Sequence, residues 1–419
     1  MEFFEELKWR NLVKDVTDEA GLAQRLRQPA VCYCGFDPTA DSLHIGHLQQ
    51  IMLLRRYQLA GHRPIALCGG ATGMIGDPRM TSERKLLQLD DVRHNAECIK
   101  GQLSHFLSFE GDNAAIVENN YNWLGTMPMI DFLRDYGKCF NINYMIAKDT
   151  VAKRLETGIS FTEFAYTILQ SIDWLHLYDT YGCQLQIGGS DQWGNLTSGV
   201  ELIRKLRGED AKVYGITSPL ITKSDGTKFG KSEGKNIWLD PARTSAYEFY
   251  QWFVNVADDD IINFLKRLSM RSPEEIMALE ASMKAAPEKR EAQKALAEEL
   301  TGLVHGPQGL ASAQKITAAL FSGNVMDLDA RERASALADA PSFEIASGMP
   351  LIDALVASHI APSKREARQL IQAGSVSVNG RRCQQLETQL AAAAALDHED
   401  FIIRKGKKSY FVFKVKANG

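Results

Sequence analysis

Residues 33–47 read YCGFDPTADSLHIGH, and the reading of the fold turns on them. They lie at the end of an apolar run, residues 30–36, which the turn-forming pair Asp37-Pro38 closes, so a buried strand is expected there. From Ser42 onward the pattern becomes helical. Ile45, Leu48, Met52 and Leu59 recur on one face, and Gly61 stops the run. His44 and His47 then stand three apart in the first turn of a helix that follows a strand. Such a helix start offers free backbone N–H groups and a partial positive charge, both of which attract phosphate. Imidazoles placed there add donors for phosphate or sugar oxygens. A second apolar run, 64–69, makes residues 30–70 one strand–helix–strand unit of a parallel sheet.

The chain has 419 residues, 45% hydrophobic and 24% charged, which predicts a soluble globular protein of two to four domains. The opening residues MEFFEELKWR mix acids with bases around no long apolar stretch, so no signal peptide is expected. No run of 18 apolar residues predicts a membrane span. Seven scattered cysteines without paired spacing fit a reducing cytoplasm and no structural zinc. Charge is uneven: residues 351–419 carry 11 Lys/Arg against 6 Asp/Glu, +5, which leaves −9 elsewhere in a chain of net −4. A basic end on an acidic body points to contact with a polyanion.

Four further stretches carry chemistry. Residues 69–78, GGATGMIGDP, place four glycines where backbone approaches a ligand closely, and end on Asp77, a carboxylate able to hold an ammonium group. They match neither a dinucleotide fingerprint nor a P-loop. Residues 160–177 are a helix with Phe161, Phe164, Ile168, Ile172 and Leu175 on an apolar stripe. A second stripe, Tyr166, Gln170 and Asp173, is polar in a span with no Lys or Arg, which suits a pocket wall better than a solvated face. Residues 183–195, CQLQIGGSDQWGN, run from a strand through two glycines to an acid that opens a helix, where open α/β sheets bind ligands. Residues 224–234 form a loose basic loop around Lys228-Phe229-Gly230-Lys231-Ser232. It falls short of a P-loop by one residue, with Asp225 where glycine is required.

Together these stretches resemble the paired HIGH and KMSKS signatures of class I aminoacyl-tRNA synthetases, about 180 residues apart and in the expected order, and their flanks are similar to those of bacterial tyrosyl-tRNA synthetases. The resemblance covers nearly the whole chain. It implies a tyrosine–tRNA ligase that activates L-tyrosine with ATP and Mg²⁺, releases pyrophosphate, and passes tyrosine to the 3′ end of tRNA(Tyr). No catalytic Ser, Cys or His base and no protein-bound metal is implied. Carried over residue by residue, Asp77, Tyr166 and Gln170 hold the ammonium group, Tyr33 and Asp173 the phenolic hydroxyl, and Gln186 and Gln192 border the amino acid. Cys34 and His47 face the ribose, with Gly35 and Gly46 beside them. Gly189 and Asp191 hold ribose, Asp37 the adenosine, and Thr39, His44, Lys228 and Lys231 the departing pyrophosphate. Two departures stand out. The loop after Asp77, Arg79 to Arg84, is one residue short and lacks the family's phosphate-contacting lysine, with Arg84 matched and Arg79 a candidate substitute. In residues 119–123, a stretch that the resemblance places at the border of the pocket, Asn122 replaces the usual aspartate beside Trp123.

The fold expected is α/β: a Rossmann-like parallel-sheet catalytic domain (1–222), the signature loop and its connection (223–240), a helical anticodon-side domain (241–321), a linker (322–349) and a small α+β RNA-binding domain (350–419). In the last, Lys364, Arg365 and Arg368 on a helix and Arg404, Lys405, Lys407 and Lys408 on a hairpin are candidate phosphate contacts; an alanine run, 391–395, departs from the family pattern. A homodimer is implied by the resemblance alone. Two rivals remain at this stage: a non-catalytic RNA-binding protein on the same scaffold, and the related tryptophanyl enzyme, which the Tyr33–Asp173 pair argues against.

Overall fold

Strands β1 (Asp15–Val16), β2 (Val31–Phe36), β3 (Arg63–Cys68), β4 (Ile116–Asn119), β5 (Cys183–Gly189) and β6 (Tyr214–Ser218) form one sheet in the order β1-β6-β5-β2-β3-β4. All neighbours are parallel except β1, which pairs antiparallel with β6 at the edge. The computed structural model describes residues 1–78, 87–155, 158–224, 229, 231–232, 235–322, 324–396, 400–406 and 409–416. Strand order reverses direction between β2 and β5, so the crevice above their carboxyl ends is where this sheet type takes ligands. Both faces of β2 and β3 are covered, and Cys32, Tyr33, Ile65 and Ala66 are almost wholly buried. That explains why the sequence shows continuous apolar runs there and no alternation.

The first turn after β2 differs from a plain helix. The chain stays extended up to His44, which bridges to Trp238: Ile45 donates its backbone N–H to Ile237 O (2.9 Å) and Leu239 does the same to Leu43 O (2.9 Å). Ile45–His47 is then a 3₁₀ turn, and the α-helix runs Leu48–Leu59. Leu59, expected on the buried stripe, is 66% exposed. It is the last residue of the helix, where the chain turns away through Gly61 at φ +90°.

Two compact units account for the chain: residues 1–244 with 252–304, and residues 245–251 with 305–419. The helices expected as a separate domain therefore divide, and residues 252–304 share the unit of the sheet. Buried guanidinium groups give the reason. Arg56, on helix Leu48–Leu59, donates to Ser269 O (2.6 Å), and Arg10 donates to Arg271 O (2.7 Å) and Lys266 O (3.2 Å). Glu6 accepts from Arg10 at 2.6 Å and lies 3.5 Å from Arg56. Such cations are tolerated inside protein only with their donors satisfied, so these bonds tie residues 269–272, which connect two helices, to the sheet unit. Ser272 and Glu275 form the expected capping box, with Pro273 at the first helical position. The long helix Glu291–Ser322 breaks its helical angles at Gly306 (φ 73°, ψ 174°), just before Pro307.

In the second unit, strands Arg381–Cys383, Val376–Val378, Asp400–Lys405, Ser409–Val415 and Ser342–Ile345 form a sheet in that order, antiparallel except for the last pair. Helices Leu351–Ala357 and Lys364–Gln372 supply Leu351, Leu355 and Ile371 to a core shared with Val376, Phe401, Ile403 and Phe413. Asn379 and Gly380 both have positive φ, as the tight turn predicted there requires. The stretch expected as a linker is structured: it holds helix Ala330–Ala336 and the edge strand Ser342–Ile345. Small and acidic residues concealed an edge strand whose partner lies some 70 residues away in sequence. All seven cysteines are free thiols, five of them buried. Among the described residues no helix is long and apolar enough to cross a membrane.

Candidate active site

Above the carboxyl ends of β2 and β5 lies a cavity of about 300 Å³, lined among others by Tyr33, Asp37, Asp77, Gln170, Asp173 and Gln192. The predicted residues Cys34, Gly35, Thr39, Gly46, His47, Tyr166, Gln186, Gly189 and Asp191 line the same space. Residues from Tyr33 to Ile221 thus converge at the topological switch point.

At the deep end Asp173 is 2% exposed and accepts two neutral donors, Asn120 Nδ2 on Oδ2 (2.9 Å) and Trp123 Nε1 on Oδ1 (2.8 Å). Burial outweighs these bonds and raises its pKa from 3.8 to about 7. The Tyr33 hydroxyl is buried and finds no hydrogen-bond partner among the described residues. Burial, and then the Asp173 charge, push its pKa well above 10, so it stays a neutral donor. Helix Phe161–Tyr181 carries the polar stripe, capped at its start by the Ser160 hydroxyl and at its end by left-handed Gly182. Arg154 and Glu163, both almost wholly buried, pair at 2.7 Å near its first turn. Tyr166 donates to Asp37 Oδ2 (3.2 Å), whose other oxygen accepts from Thr72 Oγ1 (2.9 Å).

Asp77 follows the glycine-rich turn and accepts from Gln192 Nε2 (2.8 Å) and Asn195 Nδ2 (3.3 Å). Its surroundings desolvate it enough to raise its pKa to about 6. Gly69 is required here by close approach: a Cβ would strike the Asp37 carboxylate and come within 2.5 Å of Thr72 Oγ1. Lys148 reaches Thr167 Oγ1 and Ser198 Oγ, both at 2.7 Å, behind the same wall.

At the other end the two histidines cap each other. The backbone N–H of His44 donates to His47 Nδ1 (3.2 Å), and that of Gly46 donates to His44 Nδ1 (3.0 Å). Each Nδ1 is therefore an acceptor, which leaves Nε2 as the donor nitrogen of each ring. Burial and the neighbouring His44 hold His47 neutral, with a pKa near 3. The rings lie 4.1 Å apart, and a Cβ on Gly46 would sit 2.7 Å from the His44 ring, so glycine is required between them. His44 takes the capping position and does not line the cavity.

The segment leaving β6 closes the rim. Gln49 and Gln50 both donate to Ser218 Oγ (2.9 Å each), Gln49 also to Pro219 O (2.9 Å), while Leu220 and Ile221 line the cavity. Arg267 reaches Gln49 Oε1, Pro219 O and Leu220 O at 3.4 to 3.5 Å. Beyond this point Lys228, like Arg79 and Arg84, lies outside the described residues, as does the side chain of Lys231; its backbone pairs with Asn236 in a short hairpin.

Sequence reasoning missed Thr72, Asn195, Gln49 and Gln50, and placed Asn120 only within a stretch at the border of the pocket. Polar residues beside turns and in an amphipathic helix carry no period that separates a pocket wall from a solvated face. In the second unit Lys364, Arg365 and Arg368 are exposed on their helix, Lys364 within 2.7 Å of Asp353. Arg404 is half-buried in its strand, and Lys405 donates to Ile360 O (2.7 Å), so that ammonium already serves the fold. Lys407 and Lys408 lie outside the described residues.

Comparison with known proteins gives a consistent picture. The family model for tRNA synthetases class I (W and Y) matches residues 24–322, and that for the tyrosine–tRNA ligase SYY-like C-terminal domain matches 332–413. The chain is 56% identical to tyrosine–tRNA ligase 1 of Bacillus cereus over 99% of this chain and 100% of that protein. It is 54% identical, with the same coverage, to the tyrosine–tRNA ligase of Geobacillus stearothermophilus. Among solved structures, a C-terminally truncated mitochondrial tyrosyl-tRNA synthetase of Aspergillus nidulans superposes with a TM-score of 0.69 at 32% identity, covering 76% of this chain and 94% of that one.

Proposed function

This chain belongs to the tyrosine–tRNA ligases of class I, and from that membership we propose how its cavity carries the reaction. The enzyme joins L-tyrosine to ATP, giving tyrosyl-adenylate and pyrophosphate, and then transfers tyrosine to tRNA(Tyr). In the first step a tyrosine carboxylate oxygen bonds to the α-phosphorus while the bond from that phosphorus to the β-phosphate oxygen breaks. In the second a terminal ribose hydroxyl attacks the carbonyl carbon and AMP leaves. The substrate brings its own nucleophile, so the protein acts by positioning and by stabilising developing charge.

The observation that carries the site reading is the buried hydroxyl of Tyr33, without a partner among the described residues, in the same cavity as the buried carboxylate of Asp173. Together they offer one donor and one acceptor to a phenolic hydroxyl. An amino acid without that hydroxyl leaves both unpaired at depth, a rejection for which tyrosine activation is the standard instance. Asp77, Tyr166, Gln170 and Gln192 take the ammonium end. The mutually capped histidines, with Thr39, Cys34, Gly35, Asp37, Gly46, Gly189 and Asp191, take ATP, its Mg²⁺ arriving on the phosphates. With each Nδ1 already an acceptor, Nε2 of His44 and His47 is the nitrogen left to donate to a phosphate oxygen at the 3₁₀ start. Lys228 and Lys231 supply positive charge to the departing pyrophosphate, and the exposed cations of residues 364–368 contact tRNA phosphates.

Two further assignments complete the reading. A homodimer fits the exposed apolar side chains of Met129, Ile130, Leu133, Ile142, Leu155 and Phe161, which a monomer would leave to water. A cytoplasmic location fits seven free thiols.

Tyrosine-dependent exchange of pyrophosphate into ATP, without tRNA and with phenylalanine and tryptophan as controls, tests the site. Exchange with tyrosine alone, abolished by chelating Mg²⁺, is expected. Exchange with tryptophan would sink the Tyr33–Asp173 reading. In a second arm, tRNA charging that weakens steeply with salt supports the basic module, and a salt-independent reaction refutes it.

A further inference from the structure

The polar stripe of helix Phe161–Tyr181 does not end at Asp173. Continuing Tyr166, Gln170 and Asp173 by three residues gives His176, which lies outside the cavity. Its imidazole stacks on the indole of Trp123, with ring centroids 4.1 Å apart and planes inclined by 16°. That indole is the one whose Nε1–H donates to Asp173 Oδ1 at 2.8 Å. Trp123 thus lies across one helical turn, its N–H on the buried carboxylate and its face on the histidine. It has no regular element of length to hold it, since it belongs to the four-residue helix Tyr121–Leu124. The half-buried imidazole is flanked by Glu118, which accepts from the Tyr181 hydroxyl, and by Asp179.

We infer that His176 is a specificity-determining positioning residue: by clamping the indole of Trp123 it aims the N–H that orients Asp173 toward the substrate hydroxyl. The inference rests on the proposed role of Asp173. The bond from Trp123 occupies one carboxylate oxygen and Asn120 the other, so the plane of the carboxylate is fixed from both sides. Release of one side lets the carboxylate rotate and find other partners, and the premium on a hydroxyl-bearing ligand falls. ATP sits at the opposite end of the cavity and is untouched by the change.

The test is pyrophosphate exchange by the full-length enzyme and by His176→Ala and His176→Phe. For His176→Ala, the tyrosine KM rises roughly three- to tenfold, as expected for one aromatic stack. The preference for tyrosine over phenylalanine in kcat/KM falls with it, while the KM for ATP stays within twofold. His176→Phe, which keeps a planar ring on the indole, restores both values. A general loss of structure would move the ATP KM as well, and phenylalanine would not cure it. A tyrosine KM and preference unchanged in His176→Ala overturns the inference, as does failure of His176→Phe to restore them. If instead the unmodified enzyme shows no preference for tyrosine over phenylalanine, the reading of Asp173 has failed, a different result.

Discussion

Asp77 and Asp173 are carboxylates held by neutral donors, and burial lifts their pKa values to about 6 and about 7 from an ordinary 3.8. The sign follows from proton counting. Between pH 4 and pH 7 the folded chain holds protons on these groups that the unfolded chain has already lost, so their contribution to stability declines as pH rises through that window. Substrate binding runs the other way, because an ammonium group and a phenolic O–H both call for the ionised carboxylates. Tyrosine affinity should therefore fall as pH drops from 8 to 5, with proton release on binding near neutrality. Calorimetric titrations in two buffers of different ionisation enthalpy measure both quantities; an affinity flat across that range refutes the assignment. At this scale the sequence was informative where a residue type is unusual in its place. Tyr166, Gln170 and Asp173 on a helix with few charges were legible. Asn120 and Trp123 were legible only as part of a stretch at the pocket's border; their bonds to Asp173 were not, because that residue lies 50 or more positions away in the chain.

Helix Phe161–Tyr181 was readable from its period as far as residue 177; its last turn, closed by left-handed Gly182, was not. The turn at 43–47 was less so. Its apolar spacing is helical from residue 45, yet pairing with residues 237–239 keeps the chain extended up to His44, and a 3₁₀ turn precedes the helix. Such non-local bonds override local propensity. The helical stretches between 129 and 161 expose Met129 (72%), Ile130 (63%), Ile142 (56%) and Phe161 (71%), apolar side chains that the described residues leave uncovered. A dimer that buries them should sediment at twice 46.6 kDa, and Met129→Asp combined with Ile142→Asp should shift the mass toward the single chain. Sedimentation equilibrium settles the point, since a mass of one chain at micromolar concentration would discard the dimer.

For the molecule as a whole, the parallel sheet, its switch-point cavity and the separate basic C-terminal sheet were all legible, since each follows from runs of apolar residues and glycine punctuation. The division into two units was not. It depends on Arg10 and Arg56, whose charge would ordinarily mark the surface and which are 1% and 5% exposed. The seven free thiols carry a further consequence. Cys98 and Cys139 are half-buried, while Cys32, Cys34, Cys68, Cys183 and Cys383 are buried, and burial pushes Cys34 and Cys68 up to about 12. A thiol that is both shielded and protonated reacts with an alkylating reagent only when the chain around it opens. Mass spectra taken over time should therefore show no more than two quick additions, followed by slow ones; five or more quick additions would contradict the burial. Cys34 stands on the cavity wall, so ATP and tyrosine should delay its labelling more than that of Cys383 in the other unit. The chain carries its own clock for local opening, one tick per cysteine.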